Sequence, residues 1–237
     1  AAHSDHVTYK NEAEAMEQNS SFRLSLDGIW KFHYAKNDAQ TIPGFEAENY
    51  NCRPWDDIRV PAHIQMEGYD IPQYANIQYP WDGREDVWRD AVPTDFNPVA
   101  SYVKYFTLPE GFVNNGLYIS FQGVESGFAL WLNGSYVGYS EDSFTPAEFD
   151  LTPAVHRDGE NRLAVRVYRF SSASWLEDQD FWRMSGIFRS VALFTKAQTH
   201  LADLWVKPQL SEDLAAGTLR AELKLEGMCV GEATLTL

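Results

Sequence analysis

The stretch FALWLNGSYVGY, residues 128–139, decides the local fold of this chain. Phe128, Leu130 and Leu132 occupy every second position before Asn133-Gly134, and a second run continues from Tyr136. Asn-Gly between two alternating runs is the strongest short-range signal for a two-residue hairpin turn, because both residues tolerate positive φ. The stretch therefore predicts a β-hairpin.

The same alternation recurs along the chain. Apolar residues stand at every second position in three further runs: Trp30, Phe32 and Tyr34; Leu117, Ile119 and Phe121; and Leu163, Val165 and Val167. A period of two predicts half-buried strands, and we assign Trp30 and Trp131 to the core. Residues 10–18 form the one clear helical stretch. Many short strands with little helix predict an all-β protein, either a β-sandwich or a jelly roll.

Size and composition exclude several classes of protein. The 237 residues are 44% hydrophobic and 14% aromatic, which is typical of a globular chain with one core, or with one domain and part of another. The net charge of -15 disfavours nucleic acid and anionic membranes as partners. No apolar run is long enough to span a membrane, and the opening residues AAHSDHVTYKNEAEAM lack the basic and then apolar regions of a signal peptide. Cys52 and Cys229 make no disulfide framework, so we expect a cytoplasmic protein.

Residues 54–98 break the strand pattern. This segment holds Trp55, Trp81 and Trp88 and is rich in proline, without sustained periodicity. Such long connections are usually functional or disordered, and the tryptophans argue against disorder. We expect a stiff loop, either functional or a lid that only covers a sheet edge. Asn76 lies within it, and its amide can both donate to and accept from a sugar hydroxyl.

A second strand pattern begins at His200. Its apolar positions are Leu204 and Val206, then Leu219 to Leu225, and finally Leu235 and Leu237. About three strands are present, whereas an immunoglobulin-like sandwich needs about seven. We therefore expect an uncovered apolar face that is disordered or paired with another copy.

The segment LEDQDFWRMSGIFR, residues 176–189, has the composition of a binding site. Glu177, Asp178 and Asp180 lie next to Phe181 and Trp182, and sugar sites pair carboxylates with aromatic faces in this way. The alternative is that Asp180 only bonds Arg183 or nearby backbone amides as a turn residue.

These motifs resemble the large bacterial β-galactosidases of glycoside hydrolase family 2. The resemblance rests on LEDQDFWRMSGIFR and, in the same order as in the family, on VPAHIQMEGYDIPQYANIQYP at 60–80, LWLNGSYVGYSEDSFTPAEFDL at 130–151 and GENRLAVRV at 159–167. It extends from Ala2 to about Lys196. The strings QYANIQYP and WLEDQDFW favour this branch over the related β-glucuronidases and β-mannosidases.

The resemblance implies an architecture. It implies an N-terminal arm with a short helix at 1–24, a galactose-binding-domain-like jelly roll at 25–198, and the truncated start of an immunoglobulin-like sandwich at 199–237. A catalytic barrel would follow in the same polypeptide, and the parent enzyme would be a homo-oligomer that hydrolyses terminal β-D-galactosides with retention. A stand-alone carbohydrate-binding module, or a scaffold and oligomerisation domain, is the alternative.

The resemblance also implies the roles of two residues. In the family, the residues that match Asn76 and Asp180 contact the galactosyl group, and the aspartate is also a ligand of sodium. The resemblance implies that the parent enzyme uses sodium and magnesium. Because the other sodium ligands come from the barrel, we expect this chain alone to bind the ion weakly or not at all.

No catalytic residue is expected within the chain itself. Retaining hydrolysis needs two carboxyl groups about 5 to 5.5 Å apart, and in the family both are glutamates of the barrel. Glu177 with Asp180 is a poor substitute, since their spacing on a loop guarantees no geometry. The six histidines show no metal-ligand spacing. We therefore expect the isolated chain to be inactive.

Overall fold

The computed structural model describes residues 7–89, 91–112, 116–177, 179–197 and 199–227. The chain divides into two compact units, one spanning Arg23–Phe194 and the other combining the residues before and after it. The bounds 1–24, 25–198 and 199–237 remain predictions. Within the described ranges, no helix has both the length and the apolar character needed to cross a membrane.

Sixteen strands and one α-helix are present among the described residues. The helix α1 covers Glu12–Glu17, as the sequence predicts, and Asn11 caps it by accepting the Glu14 backbone N–H. The strands are β1 (Arg23–Ser25), β2 (Gly28–Ala35), β3 (Asp56–Val60), β4 (Gln73–Ala75), β5 (Val99–Thr107), β6 (Leu117–Phe121), β7 (Val124–Glu125), β8 (Gly127–Leu132), β9 (Ser135–Ser140), β10 (Ala147–Asp150), β11 (Glu160–Tyr168), β12 (Phe181–Arg183), β13 (Gly186–Ile187), β14 (Val191–Thr195), β15 (His200–Leu210) and β16 (Gly217–Glu226). Short 3-10 helices cover Asp38–Gln40, Ile64–Glu67, Glu110–Phe112 and Ser172–Trp175.

Two sheets form the sandwich of the unit Arg23–Phe194. A four-stranded sheet has the order β1-β14-β6-β10, and a six-stranded sheet has the order β3-β2-β5-β11-β8-β9. The main core lies between them, where the ring of Phe121 in β6 packs 4.9 Å from that of Phe128 in β8. Trp30 is 1% exposed in this core. The all-β prediction is confirmed.

The hairpin predicted from residues 128–139 is formed by β8 and β9. Leu132 pairs with Ser135, and the turn residues Asn133 and Gly134 have φ values of 50° and 79°. Positive φ at both positions suits a type I′ turn, which is the reason for the Asn-Gly signal.

Strand β11 is buried on both faces, so the prediction of a half-buried strand is wrong there. Leu163 and Val165 face the main core, whereas Ala164 packs on the other face in a second cluster with Phe45 and Cys52. This cluster covers the outer side of the six-stranded sheet, and Trp131 packs against it. The segment that contributes Phe45 and Cys52 lies far from β11 in sequence. Periodicity within β11 alone therefore does not reveal that its outer face is buried.

Residues 54–98 contain more regular structure than the predicted loop. Strand β3 pairs with β2 at one edge of the six-stranded sheet, and β4 pairs with β12 in a separate two-stranded sheet. Main-chain pairing therefore anchors the segment at two places. The prediction of a continuous loop is wrong for these strands, because each is too short for its alternation to be read from the sequence.

The second unit contains a long hairpin of β15 and β16, paired from His200–Glu226 to Leu210–Gly217. The sequence predicts an uncovered apolar face here, and large apolar side chains of the hairpin are indeed exposed: Trp205 is 59% and Leu219 51% exposed. The expectation of disorder is wrong for this hairpin, because an almost continuous ladder of main-chain pairs orders it. Pairing with another copy remains a prediction. Leu235, Leu237 and Cys229 lie outside the described residues.

Candidate functional site

The small sheet of β4 and β12 brings the two predicted site residues together. The strands are antiparallel, with Phe181 opposite Ala75 and Trp182 opposite Tyr74. Asp180 directly precedes the first paired residue of β12 and Asn76 directly follows the last paired residue of β4, so both lie at the same end of this ribbon. Residues far apart in the chain thus become neighbours on one two-stranded ribbon.

The two faces of this ribbon differ in character. Because side chains alternate along a strand, every second residue shares a face. One face carries the exposed rings of Tyr74 and Trp182, and the Tyr74 hydroxyl reaches Asp180 from it. Asp180 and Asn76 are both exposed at the end of the ribbon. On the opposite face Ala75 and Arg183 are buried. The exposed face therefore has the texture of a sugar-contact surface, with polar groups next to apolar rings.

Tyr74 connects the aromatic and polar parts of the exposed face. Its hydroxyl donates to Oδ1 of Asp180 at 2.5 Å, and this bond raises the pKa of Tyr74. The ring of Tyr74 lies 5.7 Å from that of Trp182. Sequence reasoning missed Tyr74 as a site residue, although its position two residues before Asn76 on a strand is a usable signal.

Arg183 holds the turn before Asp180 from the buried side. Its guanidinium donates to the carbonyl oxygens of Glu177 and Gln179, both at 2.8 Å, and lies 4.3 Å from the centre of the Phe181 ring. Arg169 in turn donates to the carbonyl oxygen of Arg183 at 2.9 Å. The turn that presents Asp180 is therefore anchored by buried charge-assisted hydrogen bonds.

Glu177 connects the site loop to a neighbouring segment of the chain. Its carboxylate accepts the Ser143 backbone N–H at 2.9 Å and the Ser143 hydroxyl at 2.7 Å, which ties the site loop to the segment before β10. Both bonds hold the carboxylate in place against the Ser143 segment. Asp178, the third acid of the motif, lies outside the described residues.

Glu125 lies beneath the same loop, at the end of β7, and is only 7% exposed. Burial, followed by the charge of Glu177, raises the pKa of Glu125 to about 8. Nδ1 of His63 lies 3.9 Å from its Oε2, and burial lowers the pKa of His63. Sequence reasoning missed Glu125, since its neighbours Val124 and Ser126 form no motif that marks it.

A cavity of about 540 Å³ lies beside the ribbon. Gln73 of β4 contributes to its wall together with Tyr34, Asp70 and Arg169. Asp70 and Arg169 form a buried ion pair, and burial followed by the charge of Asp70 raises the pKa of Tyr34 to about 12. This pair, also missed in the sequence, fixes the base of the loop that leads into β4.

The acids near the ribbon do not form a complete metal site. Across the described ranges, no group of three or more His, Cys, Asp or Glu side chains is placed to hold an ion. Asp180 can offer one carboxylate, a ligand type that hard cations prefer. A cation at this position would need further ligands from elsewhere.

Comparison with known proteins shows consistent likenesses. The family described as "Glycosyl hydrolases family 2, sugar binding domain" matches residues 23–197. A β-galactosidase of Halalkalibacterium halodurans is 54% identical over 95% of this chain and 22% of its own length. A β-galactosidase of Streptococcus thermophilus is 46% identical over 95% of this chain and 22% of its own length. The chain thus spans about a fifth of the length of these curated relatives.

Solved structures share the fold at lower sequence identity. A β-glucuronidase from an uncultured Clostridium superposes with a TM-score of 0.62 at 23% identity, covering 94% of this chain and 36% of that one. A β-glycosidase from Bacteroides vulgatus gives a TM-score of 0.63 at 24% identity, covering 87% of this chain and 24% of that one. At this level of identity the likeness concerns the fold alone.

Proposed function

The chain belongs to the sugar-binding domain family of glycosyl hydrolases family 2, and from this premise we propose that it serves a β-galactosidase. In this proposal the parent enzyme hydrolyses terminal β-D-galactosides with retention. The ribbon supplies substrate contacts, and the two catalytic glutamates come from a barrel of the same polypeptide. The observation that carries the proposal is the exposed end of the ribbon, where Tyr74 donates to Asp180 beside the Trp182 ring and Asn76 directly follows the paired strand β4.

Each group on this face has a defined task in the proposal. The amide of Asn76 can donate to one sugar hydroxyl and accept from another. The carboxylate of Asp180 accepts hydrogen bonds from sugar hydroxyls, and such bonds can strengthen as positive charge develops on the ring in the transition state. The ring of Trp182, 58% exposed, offers an apolar surface to a sugar face.

Exposed apolar residues next to the site support a partner surface. Ile77, directly after Asn76, is 90% exposed, and Leu176, directly before Glu177, is 87% exposed. Trp88 of the same long segment is 85% exposed. Large apolar groups on a monomer surface commonly mark contact sites. We assign this surface to the catalytic barrel, whose approach would also enclose the substrate.

For the parent enzyme we propose sodium beside Asp180 and magnesium at a position that no described residue defines. A sodium ion would supply a fixed positive charge close to the sugar hydroxyls. Asp180 fits such an ion as one oxygen ligand, and the remaining ligands would come from the barrel. We also propose a cytoplasmic homo-oligomer.

A stand-alone carbohydrate-binding module is the second candidate. This candidate is favoured by the exposure of the ribbon face that carries Tyr74 and Trp182, which a sugar could reach without any partner. Calorimetric titration of the 237-residue chain with lactose separates the two. Tight binding by the isolated chain would favour the module, and weak or absent binding is expected for a shared site.

The main test is kinetic, in the full-length polypeptide, once the gene has been read beyond the codon for Leu237. We expect Asp180→Ala to lower kcat/KM for a nitrophenyl β-galactoside mainly through kcat. Asn76→Ala should be milder, about 1 to 3 kcal/mol of transition-state stabilisation. Asp158→Ala, an exposed aspartate in the turn before β11, is the matched control. Unchanged turnover in Asp180→Ala would contradict the proposal, as would a stop codon directly after Leu237.

A further inference from the structure

The orientation of Asp180 is set from the opposite strand. Asp180 lies on a turn, is exposed, and precedes the first paired residue of β12. An exposed carboxylate on a turn would ordinarily sample several rotamers. Here the Tyr74 hydroxyl donates to Oδ1 at 2.5 Å, a short charge-assisted hydrogen bond.

The bond runs diagonally across the ribbon. Tyr74 is directly opposite Trp182, two positions beyond Asp180, and a diagonal neighbour in a strand pair lies within reach of a long aromatic side chain. The Trp182 ring, 5.7 Å from that of Tyr74 and inclined by 54°, supports it from the side. Tyr74, which is 53% exposed, therefore points along the ribbon toward the carboxylate and is held there by this hydrogen bond and one ring contact.

We propose that Tyr74 is a positioning residue for galactoside binding: its hydroxyl occupies Oδ1 of Asp180 and so directs Oδ2 toward the sugar. This inference rests on the proposed function and adds a residue to it. Tyr74 acts through Asp180 in this account and needs no contact with the substrate. Misplacement of a binding group by about 1 Å can lower the rate about 100-fold, so a hydroxyl that fixes one carboxylate has a measurable effect.

The first experiment uses the 237-residue chain. At a fixed neutral pH, NMR of ring-labelled tyrosines, with Tyr74 assigned by Tyr74→Phe, reports on the hydrogen bond that its hydroxyl donates to Asp180. Asp180→Ala removes the acceptor and should shift the ring resonances of Tyr74, whereas Asp158→Ala should leave them unchanged. Ring resonances of Tyr74 that do not respond to Asp180→Ala would overturn the inference.

The second experiment is a double-mutant cycle in the full-length enzyme. We expect Tyr74→Phe to lower kcat/KM by about 10- to 100-fold with an unchanged thermal midpoint. In the Asp180→Ala background the same substitution should have no further effect, because a residue that acts through another is non-additive with it. Tyr136→Phe, at an exposed tyrosine of β9, is the control and should behave as wild type.

The outcomes separate this inference from the proposed function. Additive losses would show that Tyr74 contacts the substrate itself, and a wild-type value for Tyr74→Phe would show that its hydroxyl is dispensable; either overturns the positioning role while the enzyme stays dependent on Asp180. If Asp180→Ala is fully active, the proposed function fails together with this inference.

Discussion

Glu125 should make the free energy of unfolding fall as the pH rises, and Glu125→Gln should remove that dependence. The carboxyl is 7% exposed and its pKa in the folded chain is about 8, compared with 4.5 for an ordinary glutamate. Between these values the unfolded chain releases a proton that the folded chain keeps. Stability from this group is therefore complete below pH 4.5 and is lost progressively up to about pH 8.

The size of the effect follows from the same two values. Each pH unit between them corresponds to about 1.4 kcal/mol, which gives an upper limit of about 5 kcal/mol. Water entry and small rearrangements reduce the penalty for a buried charge, so we expect about 2 to 4 kcal/mol. Glutamine has nearly the same shape and no charge. The variant should match the wild type near pH 5 and exceed its stability above pH 8.

Urea unfolding from pH 5 to 9, followed by tryptophan fluorescence, measures this difference. Seven of the eight tryptophans lie between residues 23 and 194, so the signal reports mainly on the sandwich. Burial lowers the pKa values of His33 and His63. The free energy of unfolding therefore rises with pH below about pH 6.5, in the wild type and in Glu125→Gln alike. The informative range is therefore pH 7 to 9, together with a reference point at pH 5. The exposed Glu160→Gln is the matched control, and parallel curves for wild type and Glu125→Gln would refute the reasoning.

Two further substitutions test how the site loop is supported. Arg183→Met removes a buried guanidinium that donates to two loop carbonyl oxygens, and urea unfolding should show a loss of about 2 to 4 kcal/mol; an unchanged midpoint would remove its anchoring role. Gly186→Ala should lower the thermal midpoint by several degrees, because Gly186 has a φ of +114° and a Cβ there would lie 3.0 Å from the Tyr102 hydroxyl. A midpoint equal to that of wild type would show that the backbone shifts freely at this strand.

Local chemistry explains which elements the sequence reveals. The hairpin of β8 and β9 follows from Asn133-Gly134, and the burial of Trp30 follows from period two. These signals are contained within a dozen residues. The two-sided burial of β11 depends instead on Phe45 and Cys52, which reach it only after the chain has folded. No local pattern in β11 contains that information.

At the candidate site, too, some features can be read from the local sequence and others depend on the folded chain. Residue types and motif resemblance single out Asn76 and Asp180, but their adjacency depends on the pairing of two three-residue strands. Strands of this length carry almost no periodic signal, so their partners are set by tertiary packing. The environments of Tyr74 and Glu125 are likewise invisible before folding, since one depends on a diagonal hydrogen bond and the other on burial.

The exposure of the ribbon bears on whether this chain can hold a sugar alone. Ligand sites usually bury most of the ligand surface, whereas a two-stranded ribbon can cover only one side of a ring. In the proposed function, Asn76 and Asp180 would orient a sugar without enclosing it, and water would compete for each hydrogen bond. A second surface that removes this water would strengthen the same contacts, because charge-assisted bonds are stronger in a low-dielectric setting. Weak binding by the isolated chain, together with a large kinetic effect of Asp180→Ala in the complete enzyme, is the combination that this physical argument requires.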